Sequence, residues 1–165
     1  TRSWTHWLVS GVQIQATKIL NELMRKRDYV SYITIDIKNF NITLYNSSKD
    51  EISKERLSSG EKEILLLSIV WAMFKSSGRR LPFIFDTLLG RLDKTHKNTV
   101  LTKLIPMCGE QVIILSTDTE IDHHHYDLIK PRLSKEYMLE FMIEAEKVQI
   151  YNQYFNFTQQ QEVVK

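Results

Sequence analysis

Cysteine occurs once in this sequence of 165 residues, at Cys108, so no disulfide can form within the chain. That usage fits a reducing compartment and excludes the disulfide-stapled class of small secreted domains. Proline and glycine are scarce, at 3 and 5 residues, which predicts that most of the chain is regular structure without a long linker. No run of about 18 apolar residues occurs, so no membrane-spanning helix is expected. The N-terminus, Thr1-Arg2-Ser3-Trp4-Thr5-His6, lacks a signal-peptide pattern. It also lacks an initiator methionine, which reads as a fragment or a processed chain. Charge of one sign is not in excess either. The formal net charge is +2, too weak to argue nucleic-acid binding, so any DNA contact would be local.

What is present is enough apolar material for a core: 42% hydrophobic residues against 25% charged ones, in a length that suits one domain. From about Trp4 to Arg27, apolar residues fall three and four apart and the segment ends in Arg25-Lys26-Arg27, predicting a helix with a basic C-terminus. Ile33, Ile35 and Ile37, then Phe40, Ile42 and Leu44, alternate about a Lys38-Asn39 turn and predict a hairpin. A polar loop, Asn46 to Glu55, follows. Glu61 to Lys75 is apolar nearly all round, predicting a buried helix stopped by Ser76-Ser77-Gly78. Leu81 to Phe85 and Val112 to Leu115 read as buried strands, with a weaker helix, Lys94 to Ile105, between them. Strand, helix, strand is a βαβ unit with parallel strands, whose ligands lie at the C-terminal strand ends. Asp86 and Ser116-Thr117-Asp118 occupy those ends. Glu120 to Lys130 reads as a helix, and Tyr137, Leu139, Phe141 and Ile143 alternate as a last strand.

Three segments carry candidate chemistry. In Leu57-Ser58-Ser59-Gly60-Glu61-Lys62, Ser58 and Glu61 have capping-box spacing. The same segment, a helix N-terminus with a serine and a glycine that admits close approach, is also a candidate anion site. In Phe83-Ile84-Phe85-Asp86, the aspartate ends a buried strand. It is either a simple cap or a carboxylate on a rigid base suited to Mg²⁺. Val112 to Leu115 followed by Ser116-Thr117-Asp118-Thr119-Glu120-Ile121 is the third. Each is weak alone; their order and spacing are specific.

Together, from about Ile33 to Leu139, they resemble the C-terminal half of an ABC-type ATPase head. The form Leu57-Ser58-Ser59-Gly60-Glu61-Lys62 is typical of the SMC and break-repair branch. A narrower resemblance lies in Asp86-Thr87-Leu88-Leu89-Gly90-Arg91-Leu92-Asp93 and Leu115-Ser116-Thr117-Asp118-Thr119-Glu120-Ile121. These are similar to the DndD family, SMC-like ATPases of bacterial DNA phosphorothioation, with Leu88 where that family tends to carry proline. The resemblance implies an α/β fold, the C-terminal lobe of a P-loop ATPase head with a parallel sheet and flanking helices. It implies residues 1–28 as the end of a coiled-coil arm, 29–150 as the lobe, and 151–165 as a tail.

It further implies ATP and Mg²⁺ as cofactors, and a head-to-tail homodimer. Ser58, Ser59 and Gly60, with Glu61, match the signature motif that reaches the nucleotide of the other head. Asp86 matches the Walker B aspartate on the magnesium shell. Asp93 matches the D-loop. Thr87 and Thr117 stand where most ABC heads carry a catalytic glutamate and a switch histidine. A threonine hydroxyl cannot be a general base near neutral pH, though it can orient a water. Either hydrolysis is slow, with ATP binding rather than turnover driving closure, or another group polarises the water. No G-x-x-x-x-G-K-[ST] loop is present; Ser77-Gly78-Arg79-Arg80 and Ser59-Gly60-Glu61-Lys62 do not fit it. The implied partners are a Walker A lobe of the same protein, a second head, DNA and other DNA-modification proteins, in a bacterial cytoplasm with no membrane. The alternatives are an SMC-like repair or anti-phage ATPase, and a non-catalytic dimerisation lobe.

Other features read as ordinary structure. Consecutive residues on a helix point about 100° apart, so His123-His124-His125 suits a solvated or interface face better than one metal. Cys108 has no histidine or second cysteine nearby in sequence and reads as structural. Arg25-Lys26-Arg27 and Arg79-Arg80 read as surface or helix ends rather than DNA contacts. The segment from Tyr151 to Lys165 is expected to pack on a partner or stay disordered.

Overall fold

Apolar spacing of three and four residues builds the first element, helix α1 (Arg2–Leu23), which buries Val9, Val12, Ala16, Ile19, Leu20 and Leu23. The computed structural model describes residues 2–24 and 30–155, so the basic Arg25-Lys26-Arg27 lies outside the described residues. The chain divides into two compact units, Thr1–Ser116 and Thr117–Lys165. Among the described residues, no helix is long and apolar enough to cross a membrane.

In the first unit, β1 (Tyr32–Ile35), β2 (Ile42–Tyr45) and β3 (Glu51–Ile52) form an antiparallel sheet in that order. Ile33 opposes Leu44, and both are fully buried, so period-two alternation sets the register. Two expectations are corrected here. Ile37 and Phe40 belong to the connection, where Phe40 takes a positive φ of 57°, because the turn spans Asp36 to Asn41. The loop from Asn46 also contains β3, too short and polar to read as a strand.

Helix α1 packs on this sheet and on α2 (Ser59–Ser77). Its polar side does specific work. Gln13 Oε1 accepts the N–H of Ile35 at 3.0 Å, and Thr17 Oγ1 that of Ile33 at 3.2 Å. Asn21 donates to the Ser31 carbonyl at 2.9 Å. Three side chains spaced four apart thus satisfy backbone groups along the outer edge of β1, which would otherwise invite another strand.

Helix α2 ends as expected, with Gly78 as a left-handed C-cap at φ 65°. It is not buried all round. Ile64, Leu65, Leu67, Trp71 and Ala72 are buried, whereas Leu66, Val70 and Met73 form a stripe exposed by 54%, 36% and 57%. Strands β4 (Phe83–Asp86) and β5 (Val112–Leu115) pair in parallel, Phe83 with Val112 through Asp86 with Leu115. The predicted βαβ unit is therefore present. Its helix is compound: α3 (Lys94–Thr99), a π turn (Val100–Leu104) and a 3-10 turn (Ile105–Met107) containing Pro106, which has no N–H to continue the ladder. Phe83 and Phe85 are buried on one face of β4, while Ile84, Ile113 and Leu115 are exposed on the other.

The second unit contains α4 (His123–Ile129) and a hairpin of β6 (Met138–Met142) and β7 (Lys147–Tyr151). The strand expected to be last thus runs Met138–Met142 rather than on to Ile143, which lies in a 3-10 turn leading to Glu146 at φ 47°, and β7 follows it. Leu139 pairs with Ile150 and Phe141 with Val148, all four exposed.

Candidate functional site

The segment from Leu57 to Lys62 turns from extended chain into helix at Ser58, whose φ of −62° and ψ of 165° make it a helix N-cap. Both bonds of the capping box are formed. Ser58 Oγ accepts the Glu61 N–H at 3.2 Å, and Glu61 Oε2 accepts the Ser58 N–H at 2.8 Å. The N–H of Lys62 bonds the Ser58 carbonyl at 3.0 Å. The first-turn N–H groups of Ser59 and Gly60 have no acceptor inside a helix; Ser59 is exposed and Gly60 half-buried. Capping does not preclude anion binding, since different N–H groups would serve each.

Asp93 caps α3 in a similar way. One carboxylate oxygen accepts the N–H groups of Thr95 and His96, each at 2.9 Å, and the other lies 2.8 Å from His96 Nδ1. The backbone N–H of His96, reinforced by its ring, holds the Asp93 carboxyl below the usual carboxylate range. The His96 ring is buried, and it lies beside the first turn of α2: a Cβ added to Gly60 would lie 3.3 Å from His96 Nδ1. The structure thus places Gly60, alone of the four, beside a histidine bonded to Asp93, and sequence spacing does not single that histidine out. Its sequence signal is Asp93-Lys94-Thr95-His96, an N-cap aspartate followed by histidine at the third helical position.

Asp86 ends β4 with an exposed carboxylate, and Thr87 donates to it across 3.4 Å. Thr87 takes φ 48°, a left-handed conformation rare for a β-branched residue, while its N–H bonds the Leu115 carbonyl at 3.2 Å. Such strain costs about 1–3 kcal/mol and is held only where the surroundings enforce it. The bond to β5 is one such tie. Leu89 and Leu92, both buried, anchor the rest of the loop to Asp93.

Thr117 belongs to the second unit. Its hydroxyl accepts the Glu120 N–H at 3.3 Å, its own N–H donates to Glu120 Oε2 at 3.3 Å, and Thr119 Oγ1 lies 2.9 Å away. Tyr154 donates to the carbonyls of Thr117 and Ile121 and stacks on Tyr126. The visible part of the C-terminal segment is therefore packed on its own unit, while Phe157 lies outside the described residues.

Among the described residues, no group of three or more histidine, cysteine, aspartate or glutamate side chains could hold a metal. A single exposed carboxylate at Asp86 still suits Mg²⁺, which keeps several waters and takes phosphate oxygens rather than a protein cage. In the histidine run, His123 and His124 are exposed, but His125 is buried and caps α4 with Asp122, its Nδ1 2.6 Å from Asp122 Oδ1. The expectation of a solvated or interface face is thus corrected at the third histidine, whose ring is buried and bonded to Asp122. Cys108 is buried, its thiol donating to the Leu104 carbonyl at 3.3 Å, and burial pushes its pKa up to about 12. Arg80 pairs with Glu110 at 2.9 Å on the surface.

No protein-family model and no curated protein matches the chain. Solved structures do. One, from work on ATP-driven dimerization and DNA-stimulated activation of SMC ATPases, superposes with a TM-score of 0.66 at 16% identity, covering 99% of this chain and 94% of that one. The Smc head domain of Pyrococcus furiosus, with an extended coiled coil and bound to the C-terminal domain of ScpA, gives 0.59 at 16% identity over 94% of this chain. The SMC head domain of Thermotoga maritima gives 0.59 at 11% over 93%. The chain has the mixed α/β fold of SMC ATPase heads. It spans 37% and 52% of the latter two chains.

Proposed function

We propose that this chain is the C-terminal half of an SMC-like ATPase head, which binds and hydrolyses ATP in a head-to-tail dimer and acts in DNA sulfur modification. The observation that carries the ATPase reading is the first turn of α2. The capping box there uses the N–H groups of Ser58 and Glu61 and leaves those of Ser59 and Gly60 for an outside acceptor. In this reading that acceptor is the terminal phosphate held by the opposite head. Asp93, tied to the same turn through His96, lies at the dimer boundary. Asp86 would hold the magnesium shell, and the metal, when bound, would neutralise phosphate charge. Thr87 brings a hydroxyl, not a carboxylate, so it orients water without accepting its proton. Turnover is accordingly slow, and ATP binding drives head closure.

Two uncovered faces support a missing half. Ile84, Ile113 and Leu115 expose apolar surface on the same sheet face as Asp86, where a Walker A lobe would pack. Trp4, Trp7 and Ile14, exposed by 65–68%, lie on one side of α1 opposite its buried residues, where a second arm helix would pack. The assignment to phosphorothioation rests on the resemblance of Asp86 to Asp93 and of Leu115 to Ile121 to the DndD family. Loss of phosphorothioate from genomic DNA on deletion of the gene tests it; intact phosphorothioate would favour a repair or defence ATPase instead.

The ATPase reading is tested by Asp86→Asn in the full-length protein. Loss of hydrolysis by about 100-fold or more is expected; unchanged hydrolysis contradicts it. A second reading, a lobe that dimerises heads without turnover, is favoured by one observation, the threonine at position 87. ATP-dependent dimerisation with no hydrolysis even in the unsubstituted protein would select it.

A further inference from the structure

Gly60 carries no positive φ, so its backbone would accept alanine; the space for a Cβ there is tight, and its neighbour would have to give by a few tenths of an ångström. The atom that takes that space is His96 Nδ1, 3.3 Å from where a Cβ would stand, with Cε1 at 3.8 Å and Cγ at 4.0 Å. That same nitrogen lies 2.8 Å from the Asp93 carboxylate, and the ring is only 10% exposed. One buried imidazole is therefore bonded to the aspartate that closes the loop after β4 and occupies the space beside Gly60 at the start of α2.

We propose that His96 is a positioning residue that locks Asp93 to the first turn of α2, so that the signature segment and the D-loop move as one body. The proposal rests on the ATPase reading and deepens it. A flat ring suits the role. Its edge donates to the carboxylate while its side fills the notch left by a missing methyl, so Gly60 and His96 form a matched pair. Without the ring, Asp93 would still cap α3 through two backbone bonds, but it would lose its tether to the signature turn. The loss would then fall on the step in which both segments meet the opposite head. Binding of ATP to the Walker A lobe would be spared.

The test uses the full-length protein with three substitutions. His96→Leu keeps bulk and removes the donor; it is expected to lower kcat about tenfold while changing KM for ATP by less than about twofold. His96→Asn places an amide donor about where Nδ1 stands and is expected to recover kcat to within about threefold of the original. Gly60→Ala is expected to lower both kcat and Tm, and adding His96→Ala is expected to restore part of the Tm, since neighbours in contact couple. Equal loss of kcat and Tm in His96→Leu without recovery in His96→Asn would reduce His96 to a core residue and overturn the proposal. So would full additivity of Gly60→Ala and His96→Ala. The Asp86→Asn variant, run alongside, separates the two failures. If it still hydrolyses ATP, the ATPase reading fails; if it does not and the His96 variants are silent, only the tether fails.

Discussion

Two short helices in this chain, α3 and α4, begin with the same device and put it to different use. Asp93-Lys94-Thr95-His96 and Asp122-His123-His124-His125 each place an aspartate at the N-cap, bonded to the backbone and ring of a buried histidine three residues on. In the first unit the histidine backs onto Gly60 in the first turn of α2. In the second, His125 is 2% exposed, and its Nε2 has no hydrogen-bond partner among the described residues. Local sequence thus fixes the cap; what the histidine is for depends on the element packed against it. Only the α3 cap is bound to candidate chemistry.

The largest expected effect separates the two caps. Asp93→Ala and Asp122→Ala should each cost about 1–2 kcal/mol of stability, read by denaturant unfolding. Only Asp93→Ala should also lower ATP hydrolysis by the full-length protein, by about 100-fold. Equal effects on hydrolysis would erase the distinction. A second contrast uses the histidines. His125→Leu removes a buried nitrogen without a partner as well as one bond to Asp122, so its cost should stay within about 1 kcal/mol. It should leave kcat unchanged, where His96→Leu lowers it.

Acid should affect both caps alike. At Asp93 the His96 N–H leads in lowering the carboxyl pKa. At Asp122 partial burial pulls it upward, but the His125 N–H and ring outweigh that and lower it. A carboxyl depressed in the folded state stabilises fully above its ordinary value of 3.8, and that contribution fades as pH falls through the depressed value. A Tm scan from about pH 6 to pH 3 should therefore fall at the acid end, and the Asp93→Ala, Asp122→Ala double variant should fall less. The smallest effect belongs to Cys108. With its thiol pKa raised to about 12, it should resist iodoacetamide at neutral pH until the protein unfolds, and Cys108→Ala should leave hydrolysis unchanged.

What sequence could foresee follows the range of the forces involved. The capping box at Ser58 and Glu61, the parallel pairing of β4 with β5 and the Gly78 stop arise from neighbours in sequence or from strong apolar runs, and all were legible. β3, two residues long, carries too little pattern to read. The alternation of Lys147, Val148, Gln149 and Ile150 in β7 is itself a strand signal, left unread in the sequence. The Gln13, Thr17 and Asn21 cover on β1 was hidden because polar residues four apart look like an ordinary solvated helix face until a strand edge lies beside them. The exposed stripe on α2 and the open face of β4 and β5 were misread as buried, since apolar content shows what must be covered and not by which chain. His96 escaped notice for a related reason. Its partner across the fold is a glycine, which leaves no side-chain signal.

The central claim is that the nucleotide site needs a Walker A lobe to complete it. The direct measurement is calorimetry of ATP with Mg²⁺, first into this chain alone and then into the chain with that lobe added. Negligible heat from the chain alone, with saturable binding and dimerisation in the mixture, is the expected result. Tight, stoichiometric ATP binding by the isolated chain would contradict it.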